Sequence, residues 1–524
     1  MSKLLTKEDI KKILSQRFED DKFSTLSSLP TPDMFKDMQK AALRVAEAIK
    51  NREKITIVGD YDVDGVVSSY ILSDFLEKLT QHVEVVIPNR FTDGYGISKD
   101  MVENLDSSLV ITVDNGISSV EAAKICKDKG IDLIITDHHT PPEILPEAYA
   151  IINPKQKECN FPYKEICGAQ VAWYFAGAIK RIMGLKFNML EYIDLLGIAI
   201  VADMMELKDL NRVLVKKSLQ AINGSKRASI LAIKESYKKS SFCSEDISFL
   251  LSPLINSAGR IDSALKAYKF LKAKTLQEAS VLLDEIISLN EKRKEIEKDL
   301  FETSLKMVDE SQKIIIVWGE GWHEGVIGIV AAKLARRFEK PAIVFSINDN
   351  IAKGSARSIA EVDILKLIAK EQDKILHYGG HKGAAGLSLD VKELPSFKES
   401  IEKSISAIDE ELFISNRDIL GEIDPKEIDF ELLDILESFE PYGHKNPKPF
   451  FSIKNAKVKK EKVLGKEKNH QKIIVESKNQ ILESINFNYK RKVDIGSNID
   501  LVFTISKNSY RGYITPQLMV EDIV

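Results

Sequence analysis

Over roughly the first two hundred positions, apolar residues recur in two alternating rhythms. Short β-branched or aliphatic runs at Ile55–Val58, Val83–Ile87, Leu109–Val113, Leu133–Ile135 and Tyr149–Ile152 read as buried strands. Between them lie stretches with helical spacing: Val66, Val67, Tyr70, Ile71 and Phe75, then a segment from Ser118, a candidate N-cap, to Lys129. Helix dominates afterwards, at Ala169–Met183 and Leu190–Val201. Alternation of this kind predicts an α/β fold, a mostly parallel sheet with helices on both faces. Two amphipathic helices, Lys7–Leu14 and Asp37–Ile49, precede it across a Ser/Pro-containing loop.

Past residue 203 the rhythm changes. Leu276–Val308 lacks Gly and Pro and is crowded with Glu, Lys and Leu, which predicts one helix of ~50 Å. Its apolar spacing does not keep a strict heptad, so a spacer between two lobes fits better than a dimer seam, and a monomer is expected. A second α/β unit follows, with strands at Ile314–Trp318 and Ala342–Phe345 around a helix from Val326 to Phe338. Beyond a charged connector near 408–435, five strands are expected at Phe450–Ile453, Lys472–Glu476, Leu482–Asn486, Asp500–Ser506 and Thr515–Val520, an OB-type barrel. The expected units are an N-terminal helical segment (1–50), a sheet domain (51–215), a helical region with the connector (216–310), a second α/β domain (311–407) and the barrel (408–524).

With 524 residues the chain is long enough for several cored domains. No apolar run approaches the ~18–20 residues of a membrane span, and the N-terminus has no signal-peptide core. Four cysteines without a CxxC pair suit a reducing cytoplasm. Net charge is −4, but residues 445–511 hold 16 Lys and Arg against 6 Asp and Glu, which is +10 and leaves −14 elsewhere. That local excess points to a nucleic-acid backbone, with Phe487, Tyr489, Tyr510 and Tyr513 as candidate base-stacking rings.

The chemistry gathers at the predicted strand ends. Asp60, Asp62 and Asp64 follow the first strand at alternate positions before Gly65. Such acids repel one another on one tight turn unless a cation lies among them. The triplet matches the start of an EF-hand loop, but position 12 of that loop would be Ile71 rather than Glu. Asp114 follows the third strand, and His138 and His139 a later one; Asp203 ends an apolar helix. In a parallel sheet these strand ends converge. Carboxylates with one imidazole suit Mn²⁺ or Mg²⁺, and a bridging carboxylate allows two ions ~3.5–4 Å apart, as in phosphoester hydrolysis.

Gly59-Asp60-Tyr61-Asp62-Val63-Asp64-Gly65, Asp114-Asn115-Gly116, Asp137-His138-His139 and Val201-Ala202-Asp203 resemble the successive motifs of the Asp-His-His phosphoesterase superfamily. The stretches Pro88–Gly96, Asn256–Arg260, Trp322–Gly328 and Gly379–Gly386 resemble, within it, the RecJ family of single-strand-specific exonucleases. The resemblance implies a Mn²⁺- or Mg²⁺-dependent 5′→3′ exonuclease on single-stranded DNA, active in recombination and repair. It implies ligation by Asp60, Asp62, Asp114, His138 and Asp203, and contact of His139 with the scissile phosphate. Some relatives have His where this chain has Val58, so the coordination here is expected to differ in detail. In the second α/β domain, Ser355 and Arg357 would hold a terminal 5′ phosphate, with His381 in a Gly-rich loop beside them; Arg260, read in a turn, is a further DNA-backbone candidate. The family also implies a single-strand-binding protein and a RecQ-type helicase as partners. Two alternatives are short-oligonucleotide or pyrophosphate hydrolases of the superfamily, and a non-catalytic DNA-binding relative.

Overall fold

The structure is a computed structural model that describes residues 4–523 apart from 415–417, 466–467, 488, 490–491 and 511–512; the side chains of 509, 510 and 513 also lie outside the described set. Strands β1 (Ile55–Val58), β2 (Val83–Val86), β3 (Leu109–Val113), β4 (Asp132–Thr136) and β5 (Ala150–Ile152) form an all-parallel sheet in the order β2-β1-β3-β4-β5. Successive residues of a strand serve opposite faces. On β3, Leu109, Ile111 and Val113 enter one apolar core and Val110 the other. Val58 likewise is buried in apolar packing. Both faces are covered, as the uninterrupted apolar runs require. Order reverses between β1 and β3, so the crevice at their carboxyl ends is where such a sheet binds ligands.

The helix Leu276–Leu305 links two cores. Ala279, Leu283 and Ile286 pack into the first, whereas Leu300 packs with β6 (Ile315–Glu320) and the helix Glu324–Phe338 of the second lobe. A helix anchored at both ends over ~45 Å is a rigid spacer. The second lobe continues with β7 (Ala342–Asn348), β8 (Ile351–Arg357), β9 (His377–His381) and β10 (Ala384–Asp390), in the order β6-β7-β8-β10-β9. Only β6 and β7 are parallel in it.

Strands β11 (Ile419–Glu422), β12 (Phe450–Leu464), β13 (His470–Ser477), β14 (Gln480–Phe487), β15 (Asn498–Tyr510) and β16 (Tyr513–Ile523) make the last sheet, and pairing of β12 with β15 closes five of them into a barrel. The parallel β14–β16 pair is its one departure from antiparallel pairing among those five. The N-terminal segment divides between two lobes. Ile10 and Leu14, on the helix Lys7–Gln16, enter the barrel-side core, while Met38, Ala41 and Val45, on Met38–Asn51, enter the first core. Among the described residues no helix is long and apolar enough to cross a membrane.

Two local expectations change. Arg260 is helical, on Ser252–Ile261, because Leu254, Ile255 and Ala258 continue a buried helical stripe through the Asn-Ser-Ala-Gly-Arg stretch. Ser355 and Arg357 lie on β8, and Gly379–Gly386 forms the β9–β10 hairpin rather than an irregular loop. Glycine permits the β7–β8 pairing: Gly354 lies opposite Phe345, and a Cβ there would be 2.5 Å from its ring.

Candidate active site

The sequence of acids after β1 divides its labour. Asp62 caps the helix Val63–Glu77, accepting the Gly65 amide at 3.0 Å. Asp64 accepts the amides of Gly168 and Ala169 at 2.5 and 2.8 Å, which pins the helix Gly168–Ile182 to the turn. Asp60, 3% exposed, stays free for the crevice. Gly65 is required here: a Cβ would lie 2.6 Å from the Asp60 backbone.

The other ligand-type residues leave the sheet in step. The ladder runs one residue past the strands, with Asp114 N donating to Thr136 O at 2.9 Å and Asp137 N to Ile152 O at 3.0 Å. Asp114 then takes a left-handed turn, φ 64°. Asn115 ties the neighbouring ends together by donating to Val58 O and Val113 O. Asp137 accepts the amides of Ile117, His138 and His139 and the Nδ1 of His139 at 2.8 Å. Although burial pushes its pKa upward, these bonds and the histidine charges hold Asp137 below the usual carboxylate range. It is thus an ionised anchor that orients the His139 imidazole and fixes the backbone carrying both histidines.

His138 Nε2 lies 3.2 Å from Asp114 Oδ1, 3.5 Å from Asp203 Oδ2 and 3.8 Å from Asp64 Oδ2. Yet Asp60 Oδ1, Asp114 Oδ1, Asp203 Oδ2 and both nitrogens of His138 are buried without a hydrogen-bond partner among the described residues. Buried polar atoms are almost always paired, so this concentration marks a place for a cation. Burial and then mutual repulsion push Asp60, Asp114 and Asp203 well above the usual carboxylate range, which a divalent ion relieves. Burial, then the charge of His139, lowers His138 to about 3, leaving the neutral imidazole that coordinates metals. Burial alone would lower His139 too, but its bond to Asp137 and the surrounding carboxylates raise it to about 9. Three sets bring potential ligand atoms within 4.8 Å of one another: Asp60, Asp62 and Asp114; Asp64, His138 and Asp203; and Asp114, His138 and His139. Asp114 and His138 each belong to two of them. The residues fit a hard divalent cation, and the sets joined through Asp114 fit a pair.

Across the crevice stands the opposite charge. Arg357 Nη1 donates to Ser355 Oγ at 3.1 Å and Ala356 O at 2.8 Å. Arg260 donates to Gly325 O at 3.1 Å, and burial with the charges of Arg90 and Arg357 lowers its pKa to about 10. Arg90 stacks 4.0 Å over the ring of Tyr61, in the acid-bearing turn. Burial, then the charge of Arg357, lowers the pKa of His381. Arg90 and Arg357 thus lie close enough to depress Arg260, a concentration of positive charge suited to a multiply charged anion. On the barrel, Lys459 and Lys472 pair with Glu476 and Glu483. Lys454, Lys457, Lys460 and Lys462 are exposed, as is Phe487. Tyr489 is half-buried, and the side chains of Tyr510 and Tyr513 lie outside the described residues.

Residues 54–200 match the model of the DHH family, N-terminal domain; 311–407 match the DHHA1 domain and 419–522 the RecJ OB domain. The chain is 32% identical to the single-stranded-DNA-specific exonuclease RecJ of Haemophilus influenzae, over 95% of this chain and 92% of that one. The chain belongs to the RecJ family. It is 35% identical to the Bacillus subtilis RecJ over 94% of its own length, but spans only 64% of that relative. In three dimensions it is similar to the RecJ of Thermus thermophilus in complex with Mn²⁺, at a TM-score of 0.85 and 26% identity, over 99% of this chain and 75% of that one. The same RecJ in complex with Mg²⁺ gives 0.79.

Within this RecJ fold, Asp60, Asp62, Asp114, His138, His139 and Asp203 do converge on one crevice. Arg260, Ser355, Arg357 and His381 gather on its second-lobe side, Gly328 close beneath Ser355 and Arg357. Sequence reasoning gave Arg90 and Asp137 no role and did not separate Asp64 from the acids beside it. Arg90 stands in the Pro88–Gly96 stretch, and the other two inside motifs already recognised; what was missing was which carboxylate faces the crevice and which faces backbone amides.

Proposed function

We propose that this protein is a single-stranded-DNA-specific exonuclease that hydrolyses phosphodiester bonds from the 5′ end with two divalent ions. The observation that carries this reading is the overlapping Asp/His cluster of unpartnered buried ligand atoms at the switch point of the sheet. Its relatives named as single-stranded-DNA-specific exonucleases supply the substrate class. Asp60, Asp62, Asp114, His138 and Asp203 would hold Mn²⁺ or Mg²⁺, with Asp114 shared. Ions held there would supply Lewis-acid polarisation of the phosphoryl oxygen and activation of a water.

The side chains do the rest. Asp137 fixes His139 as a cation at neutral pH, suited to the charge that develops on the scissile phosphate. Ser355 and Arg357, with Arg260 and Arg90 beside them, receive the terminal 5′ phosphate, which carries more charge than an internal diester. His381 lines the same cradle, and the basic barrel holds the strand. A single-strand-binding protein and a RecQ-type helicase are partners consistent with this reading, for a monomeric, cytoplasmic enzyme. Digestion of single-stranded and duplex DNA with Mn²⁺, Mg²⁺ or EDTA tests it: cleavage of duplex alone, or cleavage unaffected by EDTA, would reject it.

A further inference from the structure

Asp203 differs from the other candidate ligands in what holds it. Asp60, Asp62, Asp114 and His138 follow strands whose ladders continue to the edge of the site, through Gly59 N to Val86 O and the bonds of Asp114 and Asp137. Asp203 ends the helix Ile193–Ala202 and has no strand beneath it. The helix closes with Met205 N donating to Ile200 O around Met204, which sits at φ 54°. Glycine is the usual residue at such a left-handed helix end, so the turn calls for an outside restraint.

That restraint comes from the barrel lobe. His444 Nδ1 lies 2.9 Å from Met204 O, an acceptor, so Nδ1 carries the proton and donates. The backbone carbonyl of the same residue accepts Leu207 N at 2.8 Å. Gly443 packs on Leu207 so closely that a Cβ would lie 2.6 Å from its side chain. One residue therefore grips both ends of the segment that leaves Asp203. The gripping loop is itself braced: Asn446 Nδ2 donates to Phe439 O and Pro441 O, Arg17 donates to Asn446 Oδ1, and Tyr442 N reaches Ser244 Oγ at 3.3 Å.

We propose that His444 is a positioning residue for Asp203, so that the barrel, besides holding DNA, is part of the scaffold of the metal centre. The proposal rests on Asp203 being a metal ligand. Outer groups that orient ligands commonly affect metal affinity tenfold or more, and an exposed bond one residue removed should affect it somewhat less.

The test uses the full chain without DNA, titrated with Mn²⁺ while free ion is read by electron paramagnetic resonance. His444→Ala should weaken Mn²⁺ binding about threefold to tenfold. His444→Asn, whose amide nitrogen reaches the place of Nδ1, should restore it to within about twofold of wild type, since the donor is regained. Gly443→Ala should weaken it by displacing Leu207, leaving the imidazole untouched. Binding of single-stranded DNA in EDTA, and its salt dependence, should be the same in all of them. Wild-type Mn²⁺ affinity in His444→Ala, or failure of Asn to rescue, would overturn the proposal while a weakened Asp203→Asn control still upheld the ligand reading. An unweakened Asp203→Asn would overturn the ligand reading, and the proposal with it.

Discussion

Replacing Arg357 by alanine tests how the protein finds the end of a strand. In the free protein its guanidinium is braced by Ser355 Oγ and Ala356 O and, with Arg90, depresses the pKa of Arg260. Arg357 is therefore preorganised in a field of like charge, a state that an incoming dianion relieves. A charge-assisted hydrogen bond contributes about 1.5–3 kcal/mol. At 1.4 kcal/mol per factor of ten this is about a tenfold to 150-fold loss of kcat/KM on 5′-phosphorylated single strands. On 5′-hydroxyl strands the loss should stay within about threefold, because the terminal charge that the arginine meets is absent. Inorganic phosphate should raise the Tm of wild type more than that of Arg357→Ala, by mass action on the folded state. Steady-state kinetics on the two oligonucleotides and thermal melts with added phosphate supply the numbers. Equal losses on both substrates, with equal stabilisation by phosphate, would refute end recognition by Arg357.

Other perturbations address other parts. Asp114→Asn keeps a residue that tolerates the left-handed backbone yet removes one negative charge from each of two ligand sets; single-turnover cleavage should fall more than about a thousandfold with DNA binding preserved, as loss of a shared ligand costs several kcal/mol. Gly65→Ala drives a methyl into the Asp60 backbone, so overpacking should cost about 1–3 kcal/mol in chemical denaturation and abolish most activity. Lys457, Lys460 and Lys462 changed together to Glu should lower affinity for long single strands, read by fluorescence anisotropy. The slope of log K against log salt should flatten by ~0.7 for each phosphate no longer neutralised. Cleavage of very short oligonucleotides should change far less in that variant.

The sheet and its strand-end acids were legible because each relevant strand is a continuous apolar run that stops at an Asp or at Asp-His-His, and parallel topology then brings those ends together. The barrel was legible from alternation and charge. Local composition misled where packing overrode it. Asn256–Arg260 has the makeup of a turn, but Gly259 serves helix packing, a Cβ there lying 2.3 Å from Tyr61 O. Lys353–Arg357 looks like a small-residue turn, whereas the ring of Phe345 needs the room that Gly354 leaves in a strand. Contacts between distant segments had no local signal. Ile10 and Leu14 joining the barrel-side core, and His444 reaching the end of the Asp203 helix, depend on lobe docking. Arg90 likewise gains meaning only beside Arg260 and Arg357.

Digestion of one single-stranded oligonucleotide, labelled at its 5′ end in one sample and at its 3′ end in another, tests the central claim most directly. In Mn²⁺, the account predicts that the 5′ label leaves as mononucleotide from the earliest times while the 3′-labelled strand shortens progressively. EDTA should stop both, and the same oligonucleotide in a blunt duplex should persist. Release of the 3′ label first, internal fragments at early times, or digestion that continues in EDTA would contradict it.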